Sequence, residues 1–323
     1  MLFYFVVIVI SFLVGFAMKR GGLCTYAAVT QMVNDRRMER MMVFLGVAAW
    51  ATVIIVPLHW LYPDDIGLSL THYDLLLACI AGAVLGLGAF LNKGCFFGIF
   101  VALVSGNINY IATLVGLSVG VIITQFYLST NLPTSTNISH VFQTSSTAYL
   151  WLAMMLLFAL FMGMNIKLHN NNFLKRVTGL DILTWQSTFA MIIIGLGGAL
   201  LYATVSGWNY SDVLTNTTSN LIGTQKMGAS FTALLSTTSM VVGGIIAAVT
   251  AKEFAISKVR ATLILGCFVG GGLMGAASMF IPGGNDGLLL KGIPSLAPHA
   301  LVGYVSMLVS MLVLVYFLRN KRK

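Results

Sequence analysis

Long apolar runs, interrupted by short polar, basic or glycine-rich breaks, organise this chain from one end to the other. A helix needs about 17–25 apolar residues to cross a bilayer, or slightly fewer at tight ends. Nine runs qualify: 2–18, 41–58, 75–91, 109–128, 147–166, 185–204, 228–250, 261–280 and 298–318. Four shorter apolar stretches lie between them, at 22–34, 95–105, 215–225 and 286–292. At roughly 1.5 Å per residue these are too short to span, so they are predicted to be half-helices or re-entrant segments. The run 2–18 has no preceding positive charge and no small-x-small cleavage site after it, so it is expected to be a retained first span and not a leader.

Composition turns this pattern into a class. Of 323 residues, 58% are hydrophobic and 8% charged, and the mean hydropathy is +0.91. Soluble domains carry roughly 25% charge, so the chain reads as an integral membrane protein. The net charge of +9 does not indicate nucleic-acid binding, because the basic residues sit at the ends of apolar runs. With the N-terminus outside, one set of loops holds every one of the 18 Lys and Arg except Lys226 and Lys291. By the positive-inside rule that set is cytoplasmic, and so is the C-terminus.

This orientation bears on two glycine-rich stretches, ACIAGAVLGLGAFLNKGCFFG (78–98) and GCFVGGGLMGAASMFIPGGNDG (266–287). With one inserted residue, Cys79 aligns with Cys267, Gly82 with Gly270, Gly86 with Gly275, Gly94 with Gly283 and Gly98 with Gly287. Each is an apolar helix rich in small residues that ends in a broken, polar segment. Non-helical backbone survives at membrane depth only where protein or a water-filled cavity surrounds it. Paired breaks in two halves point to a transport site. The expected fold is therefore all-α: about nine transmembrane helices plus four short re-entrant or half helices, in two inverted repeats. The first repeat is 1–130 and the second 185–323, with a connecting span and cytoplasmic loop at 131–184.

Candidate chemistry lies at the breaks. Cys24, in MKRGGLCTYAA, and Cys95, in LNKGCFFG, each sit near basic charge at the start of a short helix. That position favours thiolate character and offers backbone N–H groups to an anion. Lys93, next to Gly94, stands at the mouth of its loop, where it either attracts an anion or snorkels to the interface. Gly283, Gly284, Asn285 and Asp286 occupy the matching break of the second half. A carboxylate at membrane depth is a functional candidate, although Asp286 could equally cap a helix at 287–291. Asp212 is expected to be a solvated loop acid, His299 a polar cap, and Cys79 and Cys267 packing residues. The other histidines form no metal spacing. The Asn-x-Ser/Thr triplets at Asn137, Asn209 and Asn216 are of the kind that Ser/Thr/Asn-rich loops produce by chance. No Walker, GxSxG or HExxH motif is present, and neither cofactor nor metal is expected.

Three features resemble the YeeE/YedE family of bacterial sulfur transport proteins. These are the basic-Gly-Gly-x-Cys opening at Lys19–Cys24, the glycine-rich helix ending in Gly94 and Cys95, and GGNDGLLLKGIPSLAPHALVGY (283–304). The resemblance covers nearly the whole chain. It implies a multi-pass inner-membrane transporter that passes thiosulfate or a related anion inward, with Cys24 and Cys95 at positions of path cysteines and a TusA-like sulfurtransferase receiving the cargo. The thiosulfate-transporting members carry a further cysteine in the second half's broken helix, where this chain has Gly283, Gly284, Asn285 and Asp286. That departure opens another sulfur or selenium species as cargo, or a route that uses amide N–H groups. The expected function is uptake of a small sulfur-containing anion without enzymatic turnover. A membrane thiol enzyme using Cys24 or Cys95 as nucleophile and a passive anion channel are the alternatives.

Overall fold

The computed structural model describes residues 1–62, 71–72, 74–128, 136–137, 146–164, 185–222, 229–281 and 284–320. They form α1 (Leu2–Gly21), α2 (Thr25–Asp35), α3 (Glu39–Leu61), α4 (Leu75–Asn92), α5 (Phe96–Val104), α6 (Ile111–Leu128) and α7 (Ser146–Met164). The second group is α8 (Trp185–Thr204), α9 (Tyr210–Leu221), α10 (Phe231–Thr250), α11 (Ala261–Ser278), the single turn α12 (Gly284–Gly287) running into a π-helical turn (Leu288–Gly292), and α13 (Pro298–Asn320). A two-residue antiparallel ladder, β1 (Thr71–His72) with β2 (Thr136–Asn137), joins two loops.

Eight helical stretches among the described residues are long and apolar enough to cross a membrane, and α7 adds the shorter apolar stretch Tyr149–Met162. Their outward surfaces carry exposed Phe3, Phe5, Ile123, Val305 and Phe317. So much outward apolar surface suits lipid and not water. The chain is a multi-pass helical membrane protein.

Packing follows a regular scheme. Helix α1 packs on α10 and α8, α3 on α8, α4 on α13 and α11, and α6 on α11. If α1, α3, α4 and α6 are exchanged with α8, α10, α11 and α13, the α1–α10 contact becomes α8–α3 and α6–α11 becomes α13–α4. The contacts α1–α8 and α4–α11 map onto themselves. The α4–α11 contact shows why small residues are needed at such crossings. A Cβ on Gly88 would stand 2.7 Å from the Gly270 carbonyl oxygen, and one on Gly270 2.6 Å from that of Gly88. Neither position has room for a methyl group.

Caps set where the helices begin. Asp74 accepts from Leu76 N at 2.9 Å, and Ser230 from Ala233 N at 3.2 Å, as short polar caps do. The same chemistry corrects the expected short segment at 215–225. Asn209 Oδ1 accepts from Asp212 N at 2.7 Å and starts α9 at Tyr210. The stretch from Tyr210 onward is polar, and hydropathy alone reads it as loop. The expected helix at 287–291 also begins earlier, at Gly284. Asp286 sits inside that turn and not ahead of it as a cap.

Candidate functional site: a crossing of broken helices

Two sulfur atoms mark the centre. Cys24 and Cys95 are the N-cap residues of α2 and α5, and neither side chain caps its own helix. Instead, Cys95 Sγ accepts from Thr25 N, the first N–H of α2, at 3.1 Å. The Cys24 thiol lies against Gly98 of α5 and beside Cys95. The two half-helices thus point their N-termini into one place, each bringing a thiol to the other. Both cysteines are free thiols. Cys95 is fully buried, while Cys24 reaches a cavity of about 360 Å³ lined also by Lys19, Arg20, Gln31, Glu39 and Arg40.

The second half closes on the same point through Phe96. Asn285 Oδ1 accepts from Phe96 N at 3.1 Å, and Tyr210 Oη donates to Phe96 O at 2.7 Å. The Phe96 ring lies edge-on to that of Tyr210 and fills the space where Gly284 would carry a side chain. A Cβ there would sit 2.5 Å from Phe96 Cε2, and Gly284 also has φ +58°. Glycine is therefore required at this position twice over.

Behind Tyr210 the polar groups form a chain. Asn209 Nδ2 donates to Tyr202 Oη at 2.7 Å, and Ser211 Oγ donates to Asn209 Oδ1 at 2.8 Å. Ser211 Oγ also lies 3.4 Å from Asp286 Oδ2. The chain is incomplete at its inner end. Asn285 Nδ2 and Asp286 Oδ1 are buried without a hydrogen-bond partner among the described residues. The N–H groups of Asp286 and Gly287 lie near the carboxylate but do not complete a bond to Oδ1. Asn285 and Asp286 are only 1% and 4% exposed. Native structures satisfy nearly all such groups, so two open ones side by side mark a place prepared for something else.

Not every expected residue belongs to this crossing. Lys93 is exposed, in a left-handed conformation at the end of α4, and lines a separate cavity with Tyr26, Asn34 and Arg40. Gly94 is buried beside Cys95, and its N–H closes α4 onto Ala89 O at 2.9 Å. Gly283 lies outside the described residues. Asp212 is not a solvated loop acid: it occupies the first turn of α9, half-buried, with Lys291 and Asp286 as its charged neighbours. Cys267 is buried in the α11 packing, whereas Cys79 is exposed on the flank of the α4–α13 contact, 3.6 Å from Ser306 Oγ. Among the described residues, no three His, Cys, Asp or Glu side chains converge as a metal site would require.

Sequence reasoning missed Asn209, Tyr210, Ser211 and Phe96. A signal for the first three was present. Gly22-Leu23-Cys24 and Gly207-Trp208-Asn209 each place a left-handed glycine two residues before an N-cap.

A mouth lined by basic residues, a thiol pair and two open polar groups at broken helices define a membrane protein built to handle a small solute. The family model described as sulphur transport matches residues 20–313. The chain belongs to that family, in agreement with the resemblance carried by its Gly-Cys and Gly-Gly-Asn-Asp-Gly breaks. No curated protein matches it at a significant level.

Proposed function

We propose that this protein carries a small sulfur-containing anion inward across a bacterial cytoplasmic membrane, with thiosulfate the first substrate to test. The path runs between α2, α5, α9 and the Gly284–Gly292 segment. The observation that carries this reading is the capping of α2 by the thiol of α5, with Thr25 N–H on Cys95 Sγ at 3.1 Å and Cys24 opening to the basic cavity. Helix N-termini favour negative charge, and polarisable thiols suit a soft sulfur atom. An anion passing between Cys24 and Cys95 would take up the Thr25 N–H that Cys95 now holds.

In this reading the two halves, 1–130 and 185–323, are inverted repeats joined by 131–184. The exchange of helix contacts supports this, as do α1, α3, α4, α6 and α7, the five helices of at least 18 residues among the described residues ahead of α8. By the positive-inside rule, the lysines and arginines support a cytoplasmic position for the Cys24 cavity. A TusA-like sulfurtransferase would collect the cargo there. Lys93 attracts the anion at that face, and Asn285 and Asp286 meet it from the outer side.

Uptake of labelled thiosulfate by cells lacking other routes tests the path. Cys95→Ala is expected to reduce uptake by about 10- to 100-fold, the equivalent of the roughly 1.5–3 kcal/mol of a hydrogen bond to a charged group. Cys24→Ala should act in the same direction. Wild-type uptake in the double variant would end the cysteine mechanism.

A further inference from the structure

We infer that Asp286 carries a proton through the crossing together with each anion. The inference rests on the transport reading above and adds its coupling. Asp286 Oδ1 and, on the adjacent residue, Asn285 Nδ2 are both buried and open, so this one turn presents a free donor and a bare acceptor. An anion bonded to Asn285 Nδ2 would bring its negative charge to the residue next to that bare acceptor oxygen. Asp286 makes no ion pair among the described residues. The groups around it supply no cation either. From α5 it faces Cys95, from α9 Tyr210 and Asp212, and from α8 Tyr202. Lys291, on the following π turn, has Asp212 as its charged neighbour, and α11 contains no charged residue at all.

A proton resolves the conflict. It comes from the outer solution and bonds to Oδ1, and the new O–H donates to an oxygen of the arriving anion. On the inner side the anion leaves, the O–H bond breaks and the proton passes to the cytosolic solution. One proton moves with each anion, and the carboxylate ends as it began. Ser211 keeps Oδ2 occupied throughout, which leaves Oδ1 as the working oxygen.

The test uses the purified full-length protein in liposomes with an entrapped pH-sensitive dye. Labelled thiosulfate is supplied outside, with sulfite and selenite in parallel. Uptake by the wild type is expected to rise by up to about tenfold for each unit that the outer pH falls, the limit for one linked proton. Adding the anion should acidify the interior. Asp286→Asn, which replaces the acid by a permanent donor of the same shape, should transport with no pH slope and no acidification. A wild-type slope and acidification in Asp286→Asn would overturn the role of Asp286. Uptake by the wild type without acidification would overturn proton coupling, whatever the variant does. Absence of uptake of every anion at every pH would instead overturn the transport reading, and this one with it.

Discussion

The two ends of the crossing solve the same problem with different atoms. Where α2 and α5 begin, the caps are thiols that leave their own helices uncapped and reach across to each other. Where α9 begins, Asn209 caps its own helix and ties in Tyr202 and Ser211, so that end is satisfied locally. A weak sulfur acceptor holding a helix N–H is easily displaced by a better one, whereas an amide oxygen at 2.7 Å is not. The thiol end is built to exchange partners and the Asn209 end to hold still. Asn285 and Asp286, at the tip of the amide end, keep open valences, as do Thr25 Oγ1 beside the thiols and Trp208 Nε1 just ahead of α9.

The largest effect expected on stability separates two glycines that stand beside these ends. Gly284 has φ +58° and lies against Phe96, while a Cβ on Gly94 would meet nothing closer than Ile99 N at 3.5 Å. Gly284→Ala should therefore cost about 2 kcal/mol or more, from left-handed backbone strain and overpacking together. Gly94→Ala should be nearly neutral. Thermal unfolding in detergent would read the difference as a drop of roughly 4 °C or more for Gly284→Ala alone. Equal drops would mean that the Phe96 clasp does not set the geometry of the amide end.

A smaller effect is expected at Asn285. Its Oδ1 caps α5 from the other half of the chain, so Asn285→Ala removes a cap worth about 0.5–2 kcal/mol. Asn285→Asp restores the acceptor and should recover that stability while placing a second carboxyl beside Asp286. If the aspartate variant is as stable as wild type but loses anion uptake, the cap and the donor at Nδ2 are separate functions. If both variants transport normally, Asn285 is a structural cap only.

Much of this arrangement was legible before any coordinates. The glycine-rich breaks, the basic loops and the family-like passages pointed to the membrane helices, the short helices between them and, among the residues that meet at the crossing, Cys24, Cys95, Gly284, Asn285 and Asp286. These features are local, and the physics behind them acts within a few residues. What joins the crossing is not local. Thr25 meets Cys95 across 70 residues and Phe96 meets Asn285 across 189, and no periodicity encodes those meetings. The start of α9 was missed for a different reason. A half-buried helix rich in Ser, Asp, Thr and Asn looks like loop to hydropathy, and only its cap residue gives it away.

The least disruptive test moves from the centre to the rim, where the halves also meet. Lys19, at the end of α1, donates to Glu253 Oε2 at 2.7 Å across the cavity that leads to Cys24. The Lys19 hydrogen bond, and then its charge, holds the Glu253 carboxyl below its ordinary range. A depressed carboxyl stabilises above the unfolded value, about 4.3, and that contribution is lost as pH falls through the lower folded value. Glu253 is 60% exposed, so solvent screens the pair and its worth at neutral pH is small. Glu253→Gln should therefore shift the unfolding midpoint only slightly at pH 7. The shift should vanish once the pH falls below that depressed folded value, where the wild-type carboxyl is neutral as well. Uptake should change little in either case, because this pair closes the rim and not the crossing. A loss of uptake as deep as that of Cys95→Ala would move the controlling contact from the buried thiols to the mouth of the cavity.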